Sequence, residues 1–328
     1  MRVVRVKAPG GPEQLEVVEV ADPSPASHEV LIEVHASALN RADVLQRRGL
    51  YPPPPGESDV LGLECAGVVR DAGREAGRFP AGSRVMALLG SGGYAECVRV
   101  HENLVMPIPE GMSFEAAAAV PEAFLTAYEA LFNAAELAPG ERVLIHAGGS
   151  GVGIATLQLA RELGAQALCT LRSEPKAERL RALGAARTIV TSTEDFVDVV
   201  ERETHGRGVD VIVDLVGAAY AANNQRALAA GGRWVAIGLL GGAQATLDFG
   251  KLVMKRQTLR GIVMRSRPLP DKTAIVRGFV RDILPWFEAG RLAPVVDSTF
   301  PLADVARAHE YMEQNKNFGK IVLTTHAG

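Results

Sequence analysis

The sequence predicts an α/β protein in which a doubly wound parallel-sheet domain is inserted between two segments of a β-rich domain. Three observations support this prediction. The first third of the 328 residues shows short strands and little helical periodicity, strands and helices alternate from about residue 119, and the tail resembles the first part again. We therefore expect a β-rich domain over 1–120 and 265–328, and an inserted domain over 121–264.

The first segment alternates apolar and polar residues over short runs bounded by turn residues. Strands are expected near 29–34, 67–69 and 83–87. Four prolines at 52–55 follow Tyr51 and fix an extended conformation, because proline has a restricted φ and no amide hydrogen. The sequence therefore predicts a stiff loop directly after Tyr51.

The inserted segment contains β-branched or apolar runs that are separated by helical patterns. The expected strands are 142–147, 167–172, 187–191, 210–216 and 233–238, and the expected helices are 154–163, 175–183 and 196–203. Regular alternation of this kind favours a parallel sheet with helices on both faces. The tail then predicts a helix over 272–289, a strand over 295–300, a helix over 302–314 and a strand over 320–324. Phe279 and Met312, on these two helices, are expected in the core.

Composition excludes several classes of protein. The net charge is −3, which gives no long-range field for polyanions, so nucleic acid is not expected as the main partner. No apolar run is long enough for a membrane span, and the N-terminus alternates charge with valine instead of forming a signal peptide. Three widely spaced cysteines fit a reducing compartment. We therefore expect a cytoplasmic protein without a membrane partner.

A glycine-rich turn is the strongest chemical signal. The strand at 142–147 continues into HAGGSGVG, residues 146–153, and a helical pattern follows at once. Glycines in such a turn let backbone amides at a helix N-terminus approach a pyrophosphate. Because the turn lies inside a strand–helix–strand unit, it predicts dinucleotide binding by Gly148, Ser150, Gly151 and Val152. The alternative is a tight turn that only packs.

The residues after the second strand of this unit indicate the cofactor. NAD sites commonly carry an acidic residue about 20 positions past the glycines, where it binds the ribose 2′-hydroxyl. Here Arg172 stands 19 positions after Gly153, and Ser173 and Lys176 follow. Two cations and a hydroxyl suit a 2′-phosphate, so the pattern favours NADPH over NADH. Alternatively, Arg172 and Lys176 form only a solvated loop and helix start.

The histidines and cysteines do not show metal-ligand spacing. No pair lies at the separations typical of zinc sites, so we expect no bound catalytic metal. His146, at the end of the strand before the glycines, is expected to pack beside the turn. The others are expected at the surface or in packing roles: His28, His35, His101, His205, His309 and His326.

Four motifs together carry a resemblance to a known family. They are HAGGSGVG at 146–153, GRWVAIGLLGG at 232–242, MRSR at 264–267 and NKNFGKIVL at 315–323. The chain resembles the zinc-free quinone oxidoreductases of the medium-chain dehydrogenase/reductase superfamily, and most of all the tumour-suppressor-inducible NADPH branch. This resemblance covers essentially the whole chain. It implies a GroES-like β-rich catalytic domain and a Rossmann NADPH-binding domain.

The resemblance also implies roles for individual residues. Zinc-dependent relatives carry a cysteine and a histidine ligand where this chain has Asn40 and Leu63, and this chain lacks their four-cysteine structural lobe. By resemblance, Asn40 and Tyr51 line the nicotinamide and substrate cleft. The remaining cofactor contacts implied by resemblance are Thr126, Gly217, Gly238, Leu239 and Asn317. Some relatives have a tyrosine beside the 2′-phosphate where this chain has Thr191, which weakens the preference for NADPH.

These expectations combine into an NADPH-dependent, metal-independent quinone oxidoreductase. Without a Lewis acid, a quinone is a better hydride acceptor than a plain ketone, because its reduced anion is stabilised by resonance. Tyr51 is expected to donate a hydrogen bond and Asn40 to orient the ring or cofactor. Tyr51 as a packing anchor is an equal alternative. Glu64 is at least as well explained as a buried structural carboxylate as it is as a catalytic one.

Two other functions remain open at this point. One is an NADPH-dependent reductase of enones or enoyl thioesters, and the other is a non-catalytic NADPH-binding redox sensor. The partner in the two reductase cases is a small-molecule quinone or enone. By resemblance, we also expect a homodimer formed through the edge strand near 259–263.

Overall fold

The structure is a computed structural model that describes residues 1–325, so His326 lies outside the described residues. The chain divides into two compact units. The first contains Met1–Leu125 together with the chain from Met264 onward, and the second contains Thr126–Val263. The two segments of the first unit therefore flank the second in sequence.

Strands occur in both units. In chain order they are β1 Arg2–Val6, β2 Leu15–Glu19, β3 Glu29–Ala38, β4 Glu64–Ala72, β5 Arg84–Leu88, β6 Cys97–His101, β7 Val105–Pro107, β8 Arg142–Ile145, β9 Gln166–Leu171, β10 Arg187–Val190, β11 Val209–Asp214, β12 Leu228–Ala236, β13 Thr258–Gly261, β14 Val296–Pro301 and β15 Lys320–Thr324.

The helices are short, and a π-helical stretch, Glu129–Ala134, follows the third of them. In chain order they are α1 Arg41–Arg47, α2 Phe114–Ala118, α3 Pro121–Tyr128, α4 Gly151–Glu162, α5 Glu174–Ala182, α6 Phe196–Glu203, α7 Ala221–Ala227, α8 Phe249–Met254, α9 Leu269–Asp282, α10 Leu284–Glu288 and α11 Val305–Glu313. Within the described residues, no helix is both long and apolar enough to cross a bilayer.

The first unit is built on a mixed seven-stranded sheet. Its order is β14-β15-β3-β4-β5-β7, with β6 also paired to β3, and β1 and β2 form a separate hairpin. The C-terminal strand β15 runs antiparallel to β3, with Val322 opposite Ala38. The tail of the chain thus completes a sheet that begins near the N-terminus, and this pairing brings β15 beside the start of α1.

The second unit is the parallel sheet that the alternating pattern predicts. Its order is β10-β9-β8-β11-β12-β13, with parallel pairing throughout. Numbered within the unit, this is the order 3-2-1-4-5-6 of a dinucleotide-binding fold. Successive strands are added on one side of β8 up to β10 and on its other side from β11 onward, and ligands in such sheets bind outside the carboxyl ends of the strands where the order reverses. The predicted fold class is confirmed.

One sequence-based expectation for helices is wrong. The first third contains only the short helix α1, Arg41–Arg47, among its α-helices, in agreement with the little helical periodicity of that segment. The single helix expected over 272–289 is instead two helices, since α9 ends at Asp282 and α10 starts at Leu284. Pro285 explains the break: it has no amide hydrogen for a continuous helix and fits only the first turn of a new one.

The core residues follow the apolar periodicity. Phe279 is fully buried and Met312 is buried, as expected from their helical positions. In the second unit, Leu144, Ile212 and Trp234 belong to one buried cluster with Phe196 and Val197 of α6. This packing holds the parallel sheet against α6. Because Leu144 belongs to β8, it also holds the strand that leads into the glycine-rich turn.

Candidate functional site

The glycine-rich turn joins β8 to α4 with close backbone packing. Ser150 caps α4 by accepting a hydrogen bond from the Gly153 amide at 3.0 Å. A Cβ at Gly153 would lie 2.5 Å from the Ala147 carbonyl oxygen, and one at Gly148 would lie 2.9 Å from the Cys169 Cβ. Only glycine fits at these two positions. The remaining amides at the start of α4 are available to an anion, so the turn fits a pyrophosphate group.

The other predicted glycines lie at the same carboxyl edge of the sheet. Gly217 follows β11 with a φ of +82°, and Gly238 follows β12. A Cβ at Gly217 would lie 3.1 Å from the Gly238 carbonyl oxygen, so these two loops are in contact. The structure therefore brings the turn, Gly217 and Gly238 to adjoining strand ends, which is the cradle that a dinucleotide needs. Leu239, next along the chain, is exposed.

A buried network supports the loop that carries Gly217. One oxygen of Asp214 accepts hydrogen bonds from the amides of Val216 and Gly217, and the other accepts from Asn224 and Trp234. His146 is fully buried and its Nε2 donates to the Asn224 side-chain oxygen at 2.7 Å, while its Nδ1 accepts from Thr170. Burial lowers the pKa of His146, which keeps the ring neutral. His146 thus has the packing role expected from the sequence.

The residue directly after β9, where an NAD site would place a carboxylate, is an arginine, and the nearest carboxylate is Glu174 at the start of α5. Arg172, the first residue after β9, is exposed and makes no hydrogen bond or ion pair with any residue in 1–325. Ser173 caps α5 through its backbone conformation alone, and Lys176 lies in the first turn of that helix. Thr191, at the end of the adjacent β10, donates its hydroxyl to the carbonyl of Leu171. These residues form a polar, positively charged strand edge.

In the first unit, three groups converge on the buried carboxylate of Glu64. Asn40 donates its side-chain amide to Glu64 Oε1 at 2.8 Å, and Lys320 Nζ contacts the same oxygen at 2.6 Å. Lys320 also donates to the Asn40 side-chain oxygen and to the Leu39 carbonyl. Glu64 Oε2 accepts from the Glu122 amide at 2.8 Å. Glu64 is therefore part of a satisfied buried ion pair, which agrees with its structural interpretation.

By the resemblance described above, Asn40 and Leu63 stand where zinc-dependent relatives are expected to carry a cysteine and a histidine ligand. Leu63 is buried and offers only hydrocarbon, and both polar ends of the Asn40 side chain are used by Glu64, Lys320 and the Ala38 carbonyl. Over residues 1–325, no group of three or more histidine, cysteine or acidic side chains could hold a metal ion. The donor set at this place therefore does not fit a catalytic zinc ion.

Asp43 fixes the start of α1 under Asn40. It accepts from the Asn40 amide at 2.7 Å, from the Gly62 amide and from the Tyr94 hydroxyl. Burial is the main cause that raises the pKa of Asp43 to about 6, although these hydrogen bonds oppose the rise. Asn40 is thereby held in an extended conformation as the N-cap of α1.

Tyr51 is held by Arg265. The guanidinium lies 5.1 Å from the centre of the Tyr51 ring and donates to the Tyr51 carbonyl at 3.0 Å. It also donates to the Gly90 carbonyl and to the Gln46 side chain, so it ties three segments together. The Tyr51 hydroxyl forms no hydrogen bond to any other residue in the described part of the chain. Burial raises the pKa of Tyr51, which keeps this hydroxyl protonated and able to donate.

The remaining predicted residues lie in both units. Thr126 is buried in α3, at the first position of the second unit. Asn317 lies in the first unit before β15, and its side-chain amide donates to the Gly319 carbonyl at 2.8 Å. Sequence reasoning missed Lys320 and Glu122. A signal for Glu122 existed, since it is the single carboxylate in the apolar run AAAAVPEAFL that covers 116–125.

Comparisons with known proteins agree with this geometry. Residues 26–110 match the alcohol dehydrogenase GroES-like domain family, and residues 183–323 match the zinc-binding dehydrogenase family. The quinone oxidoreductase of Rattus norvegicus is 32% identical over 326 residues, which cover 98% of this chain and 97% of the relative. The fold and these matches define a nicotinamide-dependent oxidoreductase that acts on a small molecule.

Solved structures share this fold and are described with different activities. The Escherichia coli quinone oxidoreductase complexed with NADPH is 29% identical, with a TM-score of 0.90 over 99% of this chain and 100% of that one. A structure described as an NAD-dependent alcohol dehydrogenase is 34% identical, with a TM-score of 0.89 over 99% and 100%. The CurK enoyl reductase is 29% identical, with a TM-score of 0.87 over 98% of both chains. The chain belongs to the quinone oxidoreductase family of the medium-chain dehydrogenase/reductase superfamily.

Proposed function

We propose that this protein is an NADPH-dependent quinone reductase that works without a metal ion. The observation that carries the proposal is the side-chain set around Glu64: Leu63 offers only hydrocarbon, and Asn40 and the Lys320–Glu64 pair satisfy one another, so these residues do not form a metal site. A site with no Lewis acid suits an acceptor whose reduced form is itself stable, and a quinone meets this condition. Full-length similarity to quinone oxidoreductases supports the same substrate class.

NADPH is proposed as the cofactor from the charge at the strand ends. The glycine-rich turn and Gly217 would hold the pyrophosphate, and Arg172, Ser173 and Lys176 would surround the 2′-phosphate. The cofactor supplies hydride when bound. The position directly after β9 carries Arg172 in place of a carboxylate, which favours a 2′-phosphate there, and the nearby carboxylate of Glu174 is paired with Arg181 at 3.6 Å.

The proposed roles of the first unit are to bind and orient the acceptor. Tyr51 offers a protonated hydroxyl that has no partner within residues 1–325, so it would donate a hydrogen bond to a quinone oxygen. Asn40 has one lone pair left on its side-chain oxygen, and it acts mainly by holding Lys320 and Glu64 in place. In this proposal Asn40 is a positioning residue more than a direct ligand.

A second candidate is reduction of enones or enoyl thioesters. The CurK enoyl reductase matches this chain along its whole length, and the same hydride chemistry reduces an activated double bond. Both candidates need a hydrogen-bond donor beside the oxygen that becomes negative. They differ in the shape and tail of the acceptor.

A single set of assays separates these functions. Purified protein treated with chelator is mixed anaerobically with NADPH or NADH and with an ortho-quinone, a simple enone or an enoyl thioester, each offered separately. Fast NADPH oxidation with the quinone is the expected result. Turnover only with the enone or thioester would replace the proposal by the second candidate. NADPH binding without any turnover would indicate a non-catalytic redox sensor.

We also propose a cytoplasmic homodimer. Phe249, Val253 and Met254 of α8 are about three-quarters exposed, and the adjacent edge strand β13 exposes Leu259. An apolar surface beside an unpaired strand edge fits a second copy of the chain. Cys65, Cys97 and Cys169 are buried free thiols, as suits a reducing compartment. Light scattering tests the dimer: Val253→Glu should reduce a dimeric mass to a monomeric one, and a monomeric wild type would refute it.

A further inference from the structure

A cavity of about 340 Å³ lies in the first unit, at the start of α9. This volume falls within the range of pockets that bind small molecules. Part of the wall is apolar and is formed by Leu89, Leu104 and Leu269, and another part is formed by Arg265 and Lys272. The cavity therefore combines a hydrocarbon wall with two cations.

Lys272, in the first turn of α9, is a buried cation without a counter-charge. It is 7% exposed, its ammonium donates to the Arg265 carbonyl at 3.4 Å, and it forms no ion pair with any residue in 1–325. An ammonium has three N–H donors, so two of them have no acceptor within these residues. A buried charge without a partner costs desolvation energy. An anion in the cavity would supply both the acceptors and the opposite charge.

Arg265 is a second buried cation, and it links the cavity to Tyr51. It is 4% exposed, and its three hydrogen bonds go to uncharged groups: the Gly90 carbonyl, the Tyr51 carbonyl and the Gln46 side chain. A guanidinium has five N–H donors, so two remain for a ligand. The same guanidinium lies over the Tyr51 ring, 5.1 Å from its centre. An anion bound by Arg265 would therefore lie one side chain away from Tyr51.

Two carboxylates also line the cavity, but they do not balance its cations. The carboxylate of Glu29 lies 3.8 Å from Arg99, so these two charges largely offset each other. Glu57 is exposed, and its carboxyl group rests against Gly90, where a Cβ would lie 2.4 Å from it. The Glu57 side chain forms no hydrogen bond or ion pair in the described part of the chain. Four lysine or arginine side chains face two carboxylates, which leaves a net positive cavity.

We propose that this cavity binds an anionic substituent of the acceptor, a carboxylate, sulfonate or phosphate, and this role rests on the proposed quinone reductase function. Lys272 and Arg265 bind the oxygens of the anion with charge-assisted hydrogen bonds. The leucine wall contacts the hydrocarbon next to it. Glu57 repels the anion and so limits its affinity. The substrate class is therefore an acceptor that carries a negative charge beside its ring.

The first experiment measures binding without turnover. The Tm of the protein with saturating NADP⁺, which fills the cofactor site, is recorded with naphthalene-2-sulfonate and with the uncharged naphthalene-2-sulfonamide. At about ten times its Kd, the sulfonate should raise the Tm by about 3 °C, because it binds only the folded state. The sulfonamide has the same shape without the charge and should raise the Tm by about 1 °C or less.

Lys272→Met shows whether this shift comes from the cavity. Methionine fills a similar volume without a charge, so the variant without ligand should be at least as stable as the wild type. The Tm shift with the sulfonate should fall to that of the sulfonamide. Arg277→Met is the matched control, since it removes a cation from an exposed position of the same helix. It should keep the full shift.

The second experiment measures acceptor preference. The kcat/KM for 1,4-naphthoquinone-2-sulfonate is divided by that for 2-methyl-1,4-naphthoquinone in each variant, so the intrinsic reactivity of the two quinones cancels between variants. Lys272→Met should lower this ratio about 10-fold, through the loss of a charge-assisted hydrogen bond. Glu57→Gln should raise it about 3-fold, since a repulsive charge is removed. Arg277→Met should leave it unchanged.

The outcomes separate the anion site from the proposed function. Unchanged Tm shifts and ratios in both Lys272→Met and Glu57→Gln overturn the anion site and leave quinone reduction intact. An equal Tm shift with inorganic phosphate, together with no dependence of the ratio on Lys272, assigns the cavity to a free oxyanion and refutes its role in acceptor binding. A wild type that reduces neither quinone overturns the proposed function, while a Lys272-dependent Tm shift would still support the anion site. If Lys272→Met does not fold, the opposite change expected in Glu57→Gln carries the test.

Discussion

The two units prepare their parts of the site by different physical means. The second unit uses backbone: the turn after β8, Gly217 and Gly238 leave space and amide donors at adjoining strand ends. The first unit uses buried side-chain charge, with Glu64, Lys320 and Asn40 in mutual contact. In the second unit, an added side-chain atom at a glycine would collide with neighbouring atoms. In the first unit, loss of one charged side chain would leave its partner buried without a counter-charge. The two units should therefore fail differently when they are altered.

The largest effect is expected from Lys320→Met. This change leaves the Glu64 carboxylate buried without its cation, which costs about 3–5 kcal/mol of unfolding free energy. Thermal unfolding followed by circular dichroism measures the loss. The double variant Glu64→Gln, Lys320→Met removes both charges and should recover most of it. If Lys320→Met is as stable as the wild type, the ion pair does not hold the first unit together.

Gly153→Ala should produce the next largest effect, and on cofactor binding more than on stability. The new Cβ would meet the Ala147 carbonyl oxygen at 2.5 Å, so the turn that cradles the pyrophosphate must move. We expect the Kd for NADPH to rise about 100-fold, on the scale of the lost turn contacts. Gly77→Ala is the matched control, because its Cβ would lie in open space. Fluorescence titration of NADPH compares the two variants.

The same contrast explains how much could be predicted from the sequence. The parallel sheet and the glycine-rich turn depend on residues that are close together in the chain, and both were predictable. The break between α9 and α10 was missed, although Pro285 was visible, because the apolar pattern continues across it. The Lys320–Glu64 pair joins residues 256 positions apart and needs the β15–β3 pairing, which no local pattern encodes.

Arg172→Asp should reverse the cofactor preference, with an effect smaller than that of Gly153→Ala on NADPH binding. The carboxylate would repel a 2′-phosphate and accept a hydrogen bond from a ribose 2′-hydroxyl, so the ratio of kcat/KM for NADPH over NADH should fall about 30-fold. Arg181→Asp, the same change of charge further along α5, should leave the ratio unchanged. Equal ratios in Arg172→Asp and the wild type would show that Arg172 is only a solvated loop residue.

Arg265→Lys tests whether Arg265 acts in the first unit through the hydrogen bonds of its guanidinium or only through its positive charge. Lysine keeps the charge but cannot hold the Tyr51 carbonyl, the Gly90 carbonyl and the Gln46 side chain at once, and it loses the guanidinium that lies over the Tyr51 ring. The Tyr51 loop should therefore sample more conformations.

We expect the KM for quinone to rise about 5-fold in Arg265→Lys, which is about 1 kcal/mol, with kcat within twofold and NADPH affinity unchanged. Arg99→Lys, at an exposed arginine on β6, is the control. A fall in kcat without a change in KM would mean that Arg265 acts on the chemical step through its charge, and not through the placement of Tyr51. The first unit would then depend on the field of its charged groups more than on the exact position of the Tyr51 loop, in contrast to the second unit, whose glycine-rich turn depends on backbone position.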